Sequence, residues 1–305
     1  MRYRNAMGVC VAALLAMGWA NTAQAVTEEN LKRYAEAVDY LDRWRGDRAK
    51  LDEAHERLTQ LLIDEPDFAP AHVEMARWYL MNSHNNEAAL RSLDQAQALD
   101  SEFPGTYVLR GYIFGEQNRL QEAHAELDRA AEIGTDNPWL ALNRAAVFEK
   151  QGRDPEALPL YESVFEHDID DPKAWPAAKV GLINLLARTG DMQAVEAVFL
   201  RAQVLKPNAP DQVANYAVWL ASKSRFDEGI AILRGALQRG SSDVLSFSLF
   251  RLLLGRATLA LSSDRDTARV DFDEATSLAQ SFGAPIEVSF DVWAEQTMRE
   301  AESQQ

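Results

Sequence analysis

The sequence is poor in the residues on which much catalysis and all covalent cross-linking depend. Its 305 residues include one cysteine, Cys10, and five histidines. Cys10 lies in an N-terminal segment that reads as removable, so the remaining chain has neither a thiol nucleophile nor a disulfide to form. Basic residues are also in deficit: 31 Lys and Arg stand against 47 Asp and Glu, a formal net charge of −16. That balance argues against nucleic acid and against an anionic lipid surface, both of which draw on clustered cations. Hardly any stretch alternates in the period-two manner of a strand, which leaves helices to build the fold.

One long apolar run breaks the pattern. The chain opens MRYRNAMGVCVAALLAMGWANTAQA, with Arg2 and Arg4 ahead of an apolar stretch from Met7 to Ala20, then Ala23-Gln24-Ala25. A basic start, a short apolar core and small residues at the end describe a signal peptide over residues 1–25 rather than a membrane span. Acylation of Cys10 is the alternative, but Met7-Gly8-Val9 fits a lipoprotein box poorly and the apolar run continues past it. The expectation is export, to the periplasm of a Gram-negative cell, without membrane insertion after cleavage near Ala25. Loss of Arg2 and Arg4 takes the charge from −16 to −18.

The signatures of catalysis are missing at the spacings their mechanisms require. There is no GxxxxGK[ST], no GxGxxG at a strand-to-helix turn and no GxSxG elbow; Ser241-Ser242 after Gly240 reads as an inter-helix loop. The histidines, His55, His72, His84, His124 and His167, are scattered, with His124 in EAHAE rather than HExxH. The acidic run Asp168 to Asp171 lacks the glycine of a calcium loop, and Lys179 stands where its terminal Glu belongs. No catalytic residue, cofactor or metal is expected. Two buried carboxylates facing each other across a pocket would reopen that question.

A repeat is present instead. Gly111, Phe114, Ala123, Leu127 and Ala130 are answered in the same order and at the same spacing by Ala145, Phe148, Ala157, Tyr161 and Val164. Extending the register gives seven triads: Ala54-Leu58-Leu61, Ala89-Leu93-Ala96, Ala123-Leu127-Ala130, Ala157-Tyr161-Val164, Val195-Phe199-Ala202, Gly229-Leu233-Ala236 and Ala268-Phe272-Ala275. Most successive steps keep a period of about 34 residues; the two longer ones carry their excess in the linker Asp168 to Pro172 and between Leu237 and Thr267. Spacing of four and then three puts each triad on one helical face, with a small residue where another backbone comes close. Gly152 and Gly190 are placed to take the left-handed conformation between helices, and Pro66 and Pro207 to stop the second helix of their units.

The unit resembles the tetratricopeptide repeat, whose pattern runs Trp-x2-Leu-Gly-x2-Tyr, Ala-x3-Phe, then Pro. Tyr107, Gly111, Phe114, Ala123 and Leu127 fall on five of those positions, and Arg110 stands at the Leu position. The resemblance implies an all-α, right-handed superhelical solenoid of about seven helix pairs over residues 26–281. Val26 to Arg45 supplies the leading helix, and residues 282–305 a capping helix and polar tail, with Ile286, Phe290, Trp293 and Thr297 as its stripe.

Members of that family generally bind peptides or partner segments in a groove lined by the first helices. By register the groove-facing positions are Trp78, Val108, Tyr112, Trp139, Leu142, Asn184, Arg188 and Val218, with Glu116 and Glu149 toward one edge. Some relatives grip a C-terminal carboxylate with Lys and Asn on consecutive first helices; Asn143 and Asn184 are present here without the matching cations. The reading is a non-enzymatic scaffold for a protein or peptide partner in the bacterial envelope, serving assembly or export. A self-assembling solenoid, a homo-oligomer, is the alternative from another class, and a hydrolase the third.

Overall fold

The structure is a computed structural model that describes residues 26–167 and 171–303. The expected signal peptide with Cys10, Asp168 to Asp170 of the linker and the last two residues of the tail lie outside the described residues. Fifteen α-helices and no strand occur among those described. They are α1 (Glu28–Asp42), α2 (Arg48–Asp64), α3 (Ala69–Ser83), α4 (Asn86–Leu99), α5 (Pro104–Glu116), α6 (Leu120–Ile133), α7 (Pro138–Lys150), α8 (Asp154–Glu166), α9 (Ala174–Thr189), α10 (Met192–Leu205), α11 (Pro210–Ser222), α12 (Phe226–Arg239), α13 (Asp243–Ala260), α14 (Arg265–Ser281) and α15 (Phe290–Ser303). The chain divides into two compact units, the first ending at Leu185 and the second beginning at Leu186, inside α9. The register carries no mark of this division.

In the first unit α1 packs on α2, α3 on α4, α5 on α6 and α7 on α8; in the second α11 packs on α12 and α13 on α14. Connections this short make each pair an antiparallel hairpin. All seven triads fall on second helices, α2, α4, α6, α8, α10, α12 and α14, and every triad residue is buried. Burying a leucine such as Leu58, Leu93 or Leu127 contributes about 1.5–3 kcal/mol each, so the triads are the spine of the fold. The small residue opposite matters equally. A Cβ added at Gly111 would stand 2.6 Å from Leu127 Cγ, so glycine lets α5 lie against the leucine of its own partner helix.

The turns share one backbone solution. In six pairs the residue before the N-cap of the second helix is left-handed: Gly46, His84, Asn118, Gly152, Gly190 and Ser224, with φ between 52° and 89°. Gly152 and Gly190 take the conformation expected of them; His84, Asn118 and Ser224 adopt it without the freedom of glycine. Asp47, Asn85 and Asp191 cap the helix that follows by accepting a backbone N–H. Arginine takes that place in three other pairs. Arg119 and Arg153 lie 4.2 and 4.5 Å over the rings of Phe114 and Phe148. Arg119, Arg153 and Arg225 each pair with the glutamate three positions on, Glu122, Glu156 and Glu228.

Arg110, at the position of an expected leucine, is 6% exposed and donates to Gln97, Asp94 and Glu126. Arg144, its counterpart one repeat on, donates to Asp128, which is in turn the counterpart of Asp94. A buried cation with several acceptors thus replaces an apolar contact. In the second unit Arg256 grips the fully buried Asp271 with two bonds of 2.7 Å. There α15 covers the first half of α14, with Phe290 and Trp293 at 5.7 and 4.8 Å from the Phe272 ring. Ile286 precedes α15 rather than lying on it, yet packs into the same cluster. One contact in the first unit spans far more sequence: Lys173 Nζ donates to Leu41 O at 2.9 Å, joining the residues ahead of α9 to the end of α1. Burial, with the charge of Arg77 beside it, holds the Lys173 ammonium below its usual range.

Candidate functional site

First helices of neighbouring pairs touch one another in the first unit, and α5 meets α7. Because these helices share one register, Gly111, Tyr112 and Glu116 on α5 correspond to Ala145, Ala146 and Lys150 on α7. The backbones match but the side chains do not. Where α5 projects a phenol, α7 projects a methyl group, and the unfilled volume is an open pocket of about 200 Å³. Gly111, Gly115, Leu142, Ala146 and Val147 supply apolar wall and floor, Tyr112 and Trp139 aromatic sides, and Tyr161 and Ala177 border it from α8 and α9. Tyr112 is 42% exposed. Partial burial, with the charge of Glu116 nearby, pushes its phenol pKa up.

The polar groups around the pocket are bonded in an orderly way. Lys150 Nζ donates to Gly115 O and to Glu116 Oε1, both at 2.8 Å, tying the end of α7 to the end of α5. Trp139 Nε1 donates to Asp171 Oδ2 at 2.7 Å, and Asp171 Oδ1 accepts the N–H groups of Lys173 and Ala174 at the start of α9. Asn143 Nδ2 donates to Val108 O at 3.2 Å, and the Tyr161 hydroxyl donates to Glu149. Each of these bonds fixes a rotamer, so the pocket is formed before anything enters it.

Of the expected groove residues, Tyr112, Trp139 and Leu142 line this pocket. Val108 does not: it is 4% exposed, packed with Tyr107 and Ala130, and offers its carbonyl rather than its side chain. Trp78 also lies elsewhere, half-buried, stacked on His55 at 4.2 Å with its indole N–H donating to Leu51 O at 2.9 Å. The reason is local. Eight positions separate the small buried Ala76 from the left-handed His84, whereas seven separate Gly111 from Asn118, so counting back from the triad misplaces α3 by one position. Trp78 therefore corresponds to the buried Ile113 and Val147. Asn184 is exposed on α9; Arg188 and Val218, the latter 41% exposed, belong to the second unit. Lys150 is legible in the sequence, since it falls one repeat after Glu116, a residue assigned to the groove edge. Ala146 carries no signal, being an ordinary helix residue whose role is to leave space.

Two carboxylates have raised pKa values, the buried Glu74 and the half-buried Glu126, each chiefly by desolvation. Arg77 and Arg110 respectively hold them, and neither lines the pocket. Among the described residues no group of three His, Cys, Asp or Glu side chains could hold a metal ion, and no helix is long and apolar enough to cross a membrane.

Residues 75–138, from the middle of α3 to the first residue of α7, match the family model of the tetratricopeptide repeat. Residues 75–138 thus carry the tetratricopeptide repeat, and the hairpin pairs and buried triads continue the same pattern through the described residues. Among solved structures it is similar to PilW, described as a widely conserved type IV pilus biogenesis factor, with 20% identity over 73% of this chain and 99% of that one and a TM-score of 0.50. It is similar also to yeast Tom70, with 16% identity over 94% of this chain and 66% of that one and a TM-score of 0.52. At such identities the likeness is one of fold. No curated protein sequence matches this chain.

Proposed function

We propose that the chain is a non-enzymatic interaction scaffold of the bacterial envelope that takes an extended segment of a partner protein into the pocket between α5 and α7. The observation that carries this reading is the exposed phenol of Tyr112 facing the space left by Ala146, an apolar opening held by the bonds of Trp139, Asn143 and Lys150. An unfilled aromatic-walled opening costs solvation free energy that a partner's side chain recovers. The segment at residues 1–25 and the fold shared with a pilus biogenesis factor support a place in envelope assembly or export.

The test is in-cell crosslinking with the full chain as bait, comparing the wild type with a Tyr112→Ala, Trp139→Ala double variant. A discrete adduct that disappears in the variant, with circular dichroism unchanged, is the expected result. An adduct equally strong in both would sink the assignment of the pocket, and a loss of helicity would make the two aromatics packing residues. A second reading, self-assembly, is favoured by Phe247 in the second unit, which is 49% exposed beside Phe250 and Phe282. It predicts a particle size that rises with concentration and only self-crosslinks in the cell.

A further inference from the structure

We infer that the pocket between α5 and α7 is selective for a cationic segment: one large apolar side chain, leucine to phenylalanine in size, with lysine or arginine next to it. The inference rests on the binding function proposed above and adds what the partner must look like.

Size comes first. At about 200 Å³ the pocket is smaller than the roughly 300–1,000 Å³ of small-molecule sites, so it holds one side chain rather than a nucleotide or a cofactor. Its walls of Leu142, Ala146 and Val147 make that side chain apolar.

Charge then sets the preference at the flanks. The nitrogen-bearing side chains of the lining are those of Trp139, Asn143 and Lys150, and each is anchored by a bond within the protein. The indole N–H is engaged by Asp171, the amide N–H by Val108 O, and the ammonium by Glu116 with a further bond to Gly115 O. Acceptors remain. The bond from Asn143 Nδ2 leaves Oδ1 to receive an N–H, and Glu116 bonds Lys150 through Oε1 and keeps Oε2 at the rim. Backbone N–H groups and a Lys or Arg head therefore find partners, and the charge of −16 on the whole chain favours a cationic segment at longer range.

The experiment is affinity selection of a displayed random-peptide library on the purified full chain, on Ala146→Trp, which fills the pocket from its rim, and on Glu116→Lys. Circular dichroism checks that both variants fold. The enriched peptides should share Leu, Met or Phe beside Lys or Arg. A synthetic consensus peptide should bind Glu116→Lys about five- to tenfold more weakly, bind less tightly as salt rises, and lose measurable binding to Ala146→Trp. A consensus that is acidic, lacks a cation or ignores Glu116→Lys, while still lost on Ala146→Trp, overturns this inference and leaves the pocket as the binding site. Peptides indifferent to Ala146→Trp, or no enrichment at all, overturn the binding site itself.

Discussion

Helices α5 and α7 are two readings of one template. Both begin with proline at the first position, both place a small buried residue at the helix crossing, Gly111 and Ala145, and both end in a turn whose arginine covers a phenylalanine. They part at positions that face out of the hairpin, among them Tyr112 against Ala146, Glu116 against Lys150, Leu109 against Asn143 and Gly105 against Trp139. Agreement at the crossing makes the two hairpins stack. Disagreement at the outward positions makes a space with an aromatic wall on one side, an ion pair across its end and an amide at its base. A repeat protein thus separates folding from recognition by position, and identity of register is compatible with difference of surface.

The comparison is broken most severely at the shared crossing. Ala123→Arg and Ala157→Arg each bury an unpaired cation at a site with no exposure and should cost roughly 3–5 kcal/mol, read as lost thermal stability. Equal losses support the common register; an unchanged melting temperature in either variant refutes it. Next come exchanges at the small position. Gly111→Ala drives a Cβ to 2.6 Å from Leu127 Cγ and should cost about 1–3 kcal/mol despite its better helix propensity. Ala145→Gly should cost about 1 kcal/mol for the opposite reason, lost propensity, so chemical denaturation should find both helices already at their preferred residue.

The turns test the same equivalence more gently. Gly152→Ala forces a Cβ into a left-handed residue and should cost about 1 kcal/mol, whereas Asn118→Gly, at the same place in α5's turn, should change stability by a few tenths. Smallest is the ion pair. Glu116→Lys or Lys150→Glu alone should cost about 0.2–1 kcal/mol, and the double swap should recover part of it; a double-mutant cycle measures that coupling, and a zero value would leave the pair without a role in holding α5 to α7.

The triads are legible because burial is written in residue type: a helix that must meet another backbone every turn needs Ala, Gly or Leu at fixed intervals. Left-handed turns are legible where glycine fills them, as at Gly152 and Gly190; His84, Asn118 and Ser224 do the same work through position, which composition does not record. Tyr112, Trp139 and Leu142, on repeats joined by the commonest step, line one pocket. Trp78 is misplaced by one extra position in α3, a rotation of about 100° that turns a groove residue into a packing residue. Val108 reads as outward because its side chain is apolar and its helix is right; the structure turns it under Trp139 and uses its carbonyl. Arg110 illustrates the opposite limit. Its burial depends on three acceptors from two other helices, information that no local pattern contains.

The bond from Lys173 to Leu41 bears on how the first unit comes apart. Nearly every other contact there joins residues within one repeat or between neighbours, so an array of this kind frays from its ends, one hairpin at a time. A link across 132 positions removes that freedom for the leading hairpin, because α1 cannot peel away without releasing the start of α9. Closing so long a loop is slow and depends on the ordering of everything between, which makes it a late event in folding and an early one in opening. The leading and fifth first helices, distant in sequence, are thereby coupled in time: amide protons of α1 and of the start of α9 should exchange with solvent together, on the clock of a single rupture.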